Sequence, residues 1–318
     1  MSSFGTALVE RDLARLEKSL SASTSGAPRG SFEEHVAVLD MTKKVMSRLN
    51  ERTLIGKVSE PVLWHTDLHM GNIYVAEGKP AQILSIIDWQ SILVSPLFLQ
   101  ARFPDFVTVG EDYLLGTKEI PKLPPDFDEL NVEDKKIAEQ RLKDNITAKG
   151  YELCTGVNNI RGWKALQIPL FLRELFIRCA EASEEGVVPL RACLFEYAAN
   201  WKAIGFEGEC PISFSEEDLQ KHEKQFEEYS NYHKVHELAR NILGTDFEGW
   251  ISPYVDFESK RQQNAALLGE FVRKSSQYDM SPERMREIWP YLDRSTSSRK
   301  EEGVAYGFRH LLRSLGLF

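Results

Sequence analysis

Only one stretch of this sequence reads as paired strands, and that scarcity limits the possible folds more than any other feature. Residues 73–75 (IYV) and 83–87 (ILSII) are β-branched or aromatic runs, which suit a pleated, half-buried surface. The intervening AEGKPAQ carries the turn formers Gly78 and Pro80. The two runs are expected to pair antiparallel about a turn centred near Pro80, which sets Asn72 beside Asp88 at the open end of the ribbon. Asp67 enters that same end on the preceding loop.

Nearly everything else has helical periodicity. Val9, Leu13, Leu16 and Leu20 predict an amphipathic helix over residues 6–20. The polar SASTSGAPRGS (Ser21 to Ser31) follows as a loop, and Val38, Met41, Val45 and Leu49 mark a second helix with Ser31 and Glu34 as its capping box. ARFPDF and the proline-rich TKEIPKLPPDF read as one long surface loop. Beyond it Asn131 caps a helix through residue 151, Ser215 caps another from Glu216 to Leu243, and Ser281-Pro282-Glu283 starts a third with Pro at its first position. The run SEEDLQKHEKQFEEY is a solvated helix face, with Glu216, Glu217 and Asp218 as first-turn acids rather than recruiters of a cation. His233 and His236 read as a surface pair, and Trp64, Trp163, Trp201 and Trp250 as packing residues. The expected fold is mostly α with a small β-hairpin: residues 1–210 form a lobe with the hairpin site at 64–89, and residues 211–318 a helical extension packed on it.

Composition excludes several classes of function. With 318 residues, 42% of them hydrophobic, the chain can build a sizeable core. A net charge of -9 gives no reason to expect nucleic acid, since polyanions recruit basic surfaces. The four cysteines, Cys154, Cys179, Cys193 and Cys210, are widely spaced and read as buried free thiols rather than a disulfide framework or a zinc knuckle. The N-terminal residues lack the apolar core of a signal peptide, and the most apolar window, Ile83 to Ala101, is broken by Asp88, Gln90 and Pro96, so no membrane span is expected. An intracellular, cytoplasmic protein is the expectation.

The polar residues around the hairpin carry the chemistry. Carboxylate and amide oxygens converging at one ribbon end are hard ligands of the kind Mg2+ takes together with substrate phosphates. Asp67 lies five residues before Asn72, and Asp88 follows the second strand. HTDLHMGN (His65 to Asn72) followed by IIDW (Ile86 to Trp89) thus resembles the aminoglycoside phosphotransferase and choline kinase-like family, whose catalytic loop is H-x-D-x-x-x-x-N and whose metal Asp sits in I-D-W or I-D-F. The wider wording, through SPLFLQARFPDF, resembles a fungal branch that includes proteins linked by name to mitochondrial inheritance, which makes mitochondrial association the alternative location. The resemblance covers most of the chain as a kinase-like C-terminal lobe.

The resemblance implies ATP and Mg2+ as cofactors and a small-molecule hydroxyl as acceptor. Asp67 would be the catalytic Asp that takes or orients the hydroxyl proton, Asn72 and Asp88 the metal ligands, and His65 a supporting residue. It also implies an N-terminal lobe with a phosphate-binding Lys on a strand. The 66 residues before Asp67 read as two helices and a loop, Lys18, Lys43 and Lys44 all lie in helical contexts, and that lobe is expected to be absent. Two alternatives follow. The lobe could serve as a non-catalytic interaction surface for a protein partner, or His65, Asp67 and His69 could hold zinc for a hydrolase.

Overall fold

A computed structural model gives the architecture and describes residues 1–22, 28–49, 53–90, 92–110, 112–246 and 249–291. The protein is mostly helical with a small antiparallel β component. Ten helices are described: α1 (Ser2–Ala22), α2 (Phe32–Ser47), α3 (Leu97–Gln100), α4 (Val132–Asn158), α5 (Ile160–Leu166), α6 (Leu170–Glu185), α7 (Val188–Asn200), α8 (Glu216–Leu243), α9 (Phe257–Arg273) and α10 (Pro282–Ile288). Among them run four strands, β1 (Pro61–Leu63), β2 (Ile73–Ala76), β3 (Lys79–Ile86) and β4 (Val94–Pro96).

Local capping chemistry starts the helices where the sequence places it. The Ser31 hydroxyl accepts from Glu34 N while the Glu34 carboxylate accepts from Ser31 N, and Ser215 and Asp218 repeat this exchange at α8. Asn131 accepts from two amides at the start of α4, and Ser281 caps α10. These bonds satisfy amides that have no partner inside the helix. Helix α1 is longer than its apolar periodicity predicts, and α4 continues to Asn158, beyond residue 151. Most of the loop expected at Ser21 to Ser31, residues 23–27, lies outside the described residues.

The main core packs α1, α2, α6 and α7 around Val9, Leu39, Met46, Leu175, Leu194 and Tyr197. Two glycines permit close approach. A Cβ on Gly5 of α1 would fall 2.8 Å from the Met46 sulfur, and one on Gly186, at φ +94, would fall 2.5 Å from the Arg29 backbone. Gly186 ends α6 and lets Val187 N donate to Arg29 O at 3.1 Å. A second, smaller cluster joins Val235 and Ala239 of α8 to Phe271 of α9 and to Met285, Ile288 and Trp289 at α10.

Three expectations need correction here. His236 is not a surface group: it is packed between α8 and α10, and its Nε2–H donates to Ile288 O at 2.7 Å. Trp250 is 67% exposed, whereas Trp201 is buried and stacked on Phe206. Cys154 is exposed and Cys210 only half-buried, leaving Cys179 and Cys193 as the enclosed thiols. Sequence spacing did not separate these cases because residue type sets the tendency to bury and tertiary packing sets the outcome.

Among its described residues the loop between α3 and α4 contains a short helical turn at Phe127–Glu129, and the buried Glu152 of α4 fixes part of the loop. Glu152 accepts from Tyr113 Oη at 2.6 Å, Gly116 N at 2.7 Å, Lys149 Nζ at 2.7 Å and Gln167 Nε2 at 3.0 Å. No helix among the described residues is long and apolar enough to cross a membrane.

Candidate functional site

Two short ribbons frame the candidate site. β1 pairs with β4 from Pro61↔Pro96 to Leu63↔Val94, and β2 pairs with β3 from Ile73↔Ile86 to Ala76↔Lys79. The buried side chain of Gln100 holds the first ribbon together, with Nε2 donating to Val62 O at 2.7 Å and Ser95 O at 2.9 Å. Residues 64–72 leave β1 for β2, and residues 87–93 leave β3 for β4, so both polar segments lie between the same pairs of strand ends.

The hairpin forms, but its turn is not centred near Pro80. Glu77 and Gly78 make a two-residue turn with Gly78 at φ +68, and Lys79 and Pro80 already belong to β3. A tight turn of this kind needs positive φ, which Gly adopts at little cost. Register shifts on either side of Val75 then absorb the mismatch with the Ile73↔Ile86 end. Asn72 consequently lies opposite Ile87, one residue before Asp88, and Ile87 N donates to Asn72 O at 3.0 Å.

Ile87 is gripped from two directions. His65 Nε2 stands 2.8 Å from Ile87 O, and because a carbonyl only accepts, Nε2 carries the proton. Its Nδ1 is buried with no hydrogen-bond partner. The His65 ring packs edge-on against Trp89 with centroids 4.8 Å apart, and Trp89 Nε1 donates to Ile86 O at 2.9 Å. Between these anchors Asp88 takes φ +64, a left-handed conformation in which Asp is tolerated better than most residues. The H-x-D and I-D-W segments are therefore parts of one hydrogen-bonded unit.

Asn72, 5% exposed, points its amide inward and donates from Nδ2 to Asp67 O at 2.8 Å. That bond spans the loop and leaves Oδ1 as the atom able to meet a cation. Asp67 itself is exposed, with Oδ2 3.9 Å from His69 Nε2. His69 caps the turn at Met70–Asn72, its Nδ1 accepting from Gly71 N at 3.1 Å. A Cβ on Gly71 would sit 3.0 Å from the His69 ring, so the small residue belongs to the cap.

The sequence reading assigned no role to Arg102. Its guanidinium donates to Thr66 O, the carbonyl immediately before Asp67. Burial lowers the Arg102 pKa, while the charges of Asp105 and Asp67 act in the opposite direction. A cation thus faces the loop carboxylate from the segment after α3. A basic residue directly following the apolar SPLFLQA was the available signal.

The donor set fits a hard cation better than zinc. Asp67 and Asp88 carboxylates and Asn72 Oδ1 are oxygen donors of the Mg2+ type. His65 commits Nε2 to Ile87 and buries Nδ1, and His69 commits Nδ1 to its cap. Among the described residues no group of three or more His, Cys, Asp or Glu could hold a metal ion. Lys43 of α2 pairs with Glu10 of α1 at 2.9 Å, in the helical context the sequence predicts. Glu216 and Asp218 stand at the first turn of α8, and Asp218 belongs to its capping box.

No family model matches the chain. Two curated proteins do, each named a subtelomeric hrmA-associated cluster protein, from two strains of Aspergillus fumigatus. Each is 30% identical over 269 residues, which cover 83% of this chain and 51% of the relative. The chain therefore spans about half the length of the curated relatives it matches. No solved structure matches.

Proposed function

We propose that residues 64–89 form a phosphotransferase-type site on a kinase-like C-terminal lobe, with Asp67 orienting a hydroxyl group and Asn72 and Asp88 as ligands of Mg2+. The observation that carries this reading is the double hold on Ile87, from His65 Nε2 and to Asn72 O, which joins the loop bearing Asp67 to the turn bearing Asp88. A hairpin whose polar residues merely satisfied their own turns would not need a bond from His65 to a carbonyl 22 residues away. In such chemistry the metal neutralises charge on the transferred phosphoryl group, and the protein contributes position and charge. Asp67, exposed on the loop that the Arg102 guanidinium holds through Thr66 O, is placed to meet a substrate hydroxyl.

The described residues preceding Asp67 are mainly helical and carry no strand-borne Lys. On this reading phosphate contacts come from elsewhere, and their loss, worth about 3–5 kcal/mol, slows transfer on the order of a hundredfold to several thousandfold. The test is a coupled ATP-turnover assay with candidate alcohols. The 318-residue chain is expected to match an Asp67→Asn control. The same chain joined to a nucleotide-clamping lobe is expected to transfer phosphate in an Asp67-dependent way, and transfer indifferent to Asp67 would remove the proposal.

One observation favours a second reading, a surface for a protein partner. Leu63, Met70, Tyr74, Ile83, Leu84 and Val94 around the site are each more than half exposed. An apolar rim of this kind marks interaction surfaces. The two readings separate on Asp67→Asn, which removes transfer and leaves an apolar contact intact.

A further inference from the structure

Trp64, three residues before Asp67, also walls a cavity of about 270 Å3 between α4 and α5. Tyr151, Cys154, Thr155 and Asn158 of α4 supply much of the lining, and Asn159 joins them at the corner between the helices. No charged side chain among the described residues lines it. Two aromatic rings offer apolar faces, while a hydroxyl and two amides offer both donors and acceptors.

That lining selects by elimination. The lining offers an inorganic ion no counter-charge. A wholly apolar molecule would cover Asn158 Oδ1 and Asn159 Nδ2, the amide atoms not engaged with Cys154 O and Gly162 N, without replacing their water. A molecule with C–H faces and a hydroxylated edge satisfies both walls. The volume lies just below the range that holds drug-sized ligands, which favours a single ring.

The cavity is also tied to the catalytic loop. Tyr151 Oη donates to Arg102 O at 3.4 Å, and the Arg102 guanidinium donates to Thr66 O, next to Asp67. We propose that this cavity binds a small uncharged polyol of sugar or cyclitol type. Binding follows from the lining alone; that the bound molecule is the hydroxyl acceptor rests on the phosphotransfer reading. The resemblance to choline and aminoglycoside enzymes points instead to a cationic acceptor, which would meet the Trp64 and Tyr151 ring faces here but no carboxylate, and choline is therefore the rival ligand in the test.

Cys154 provides a reporter within the lining. Burial pushes the Cys179 and Cys193 thiols up to about 12, which leaves them unreactive. In a Cys210→Ser background, Cys154 is alkylated with iodoacetamide and followed by mass spectrometry in the presence of myo-inositol, D-glucose or choline. At least one polyol is expected to slow alkylation saturably, about tenfold at ten times its Kd, with choline without effect. Asn158 is exposed and its amide bonds only to its own helix, at Cys154 O, so Asn158→Asp keeps the fold and is expected to cancel the polyol protection. Failure of both polyols to protect, or stronger protection by choline, overturns the proposal. Protection without Asp67-dependent transfer, even when the chain is joined to a nucleotide-clamping lobe, keeps the pocket and removes the phosphotransfer reading. Asp67-dependent transfer to a polyol that leaves Cys154 unprotected does the reverse.

Discussion

In the helical core Leu175, Leu190, Leu194 and Tyr197 are fully enclosed, whereas in the hairpin Tyr74, Ile83 and Leu84 are 53%, 59% and 63% exposed. Both regions are rich in apolar residues, yet only the first owes its shape to burying them. A two-stranded hairpin is marginal by itself in water. Here its open end is fixed by directional bonds: His65 to Ile87 O, Ile87 to Asn72 O, Trp89 to Ile86 O and Asn72 to Asp67 O. The comparison teaches that core substitutions act on global stability, while site substitutions act on local geometry and ligand response.

The largest expected effect tests the core side. Leu175→Ala should cost about 2–5 kcal/mol of unfolding free energy, through lost burial and the cavity left behind. Leu84→Ala should stay within about 0.5 kcal/mol of the parent. Urea denaturation of both variants measures the contrast, and equal losses would break it.

Next comes Glu34, which ties α2 to α8. Its carboxylate lies 2.8 Å from Lys221 Nζ and accepts from Gln225 Nε2 at 3.2 Å and Ser31 N at 2.9 Å. Burial pushes its pKa up, but Lys221, Ser31 and Gln225 together outweigh burial and hold it at about 2. A depressed folded-state pKa contributes stability that is present above the unfolded value, about 4.3, and is lost as pH falls towards 2. Glu34→Gln should lower stability at pH 7 by about 2–3 kcal/mol and flatten the acid dependence in that window. Chemical denaturation at a series of pH values reads both, and an unchanged acid limb would count against the network.

The site side is sharpened by His65→Ala. Removing one hydrogen bond and the Trp89 contact should loosen the turn by about 1–2 kcal/mol. Amide exchange at Ile87 should accelerate correspondingly, with little change at Leu194. The smallest effect has the opposite sign. Asp88 holds φ +64, so Asp88→Gly should stabilise the protein by about 0.5–1 kcal/mol while removing a proposed metal ligand. A melting curve detects that gain, and a loss instead would mean that Asp88 supports the fold.

The same division explains what the sequence disclosed. Capping is local, so the starts of α2, α4, α8 and α10 were legible from Ser31, Asn131, Ser215 and Ser281. The hairpin was legible from two β-rich runs, but not the place of its turn, because Pro80, a turn former by type, lies within β3 while Glu77-Gly78 makes the turn. The β1–β4 pair was invisible, since strands of three residues are too short for an alternating pattern. Arg102 and Gln100 reach partners 36 and 38 residues away, a separation that no local motif encodes. Asp67, Asn72 and Asp88 were legible as a set through spacing, while the bonds of His65 and Ile87 that connect them appeared only in the fold.

The central claim is that Asn72 and Asp88 hold a divalent ion beside Asp67, and Trp89 is placed to report on it. Mn2+ carries unpaired electrons that quench nearby indole emission, so Mn2+ with ATP should quench a component of the fluorescence that Trp89→Phe removes and excess Mg2+ restores. The account predicts that this quenching disappears in Asp88→Gly while the melting temperature holds or rises. Quenching of equal size in the parent and in Asp88→Gly would contradict it.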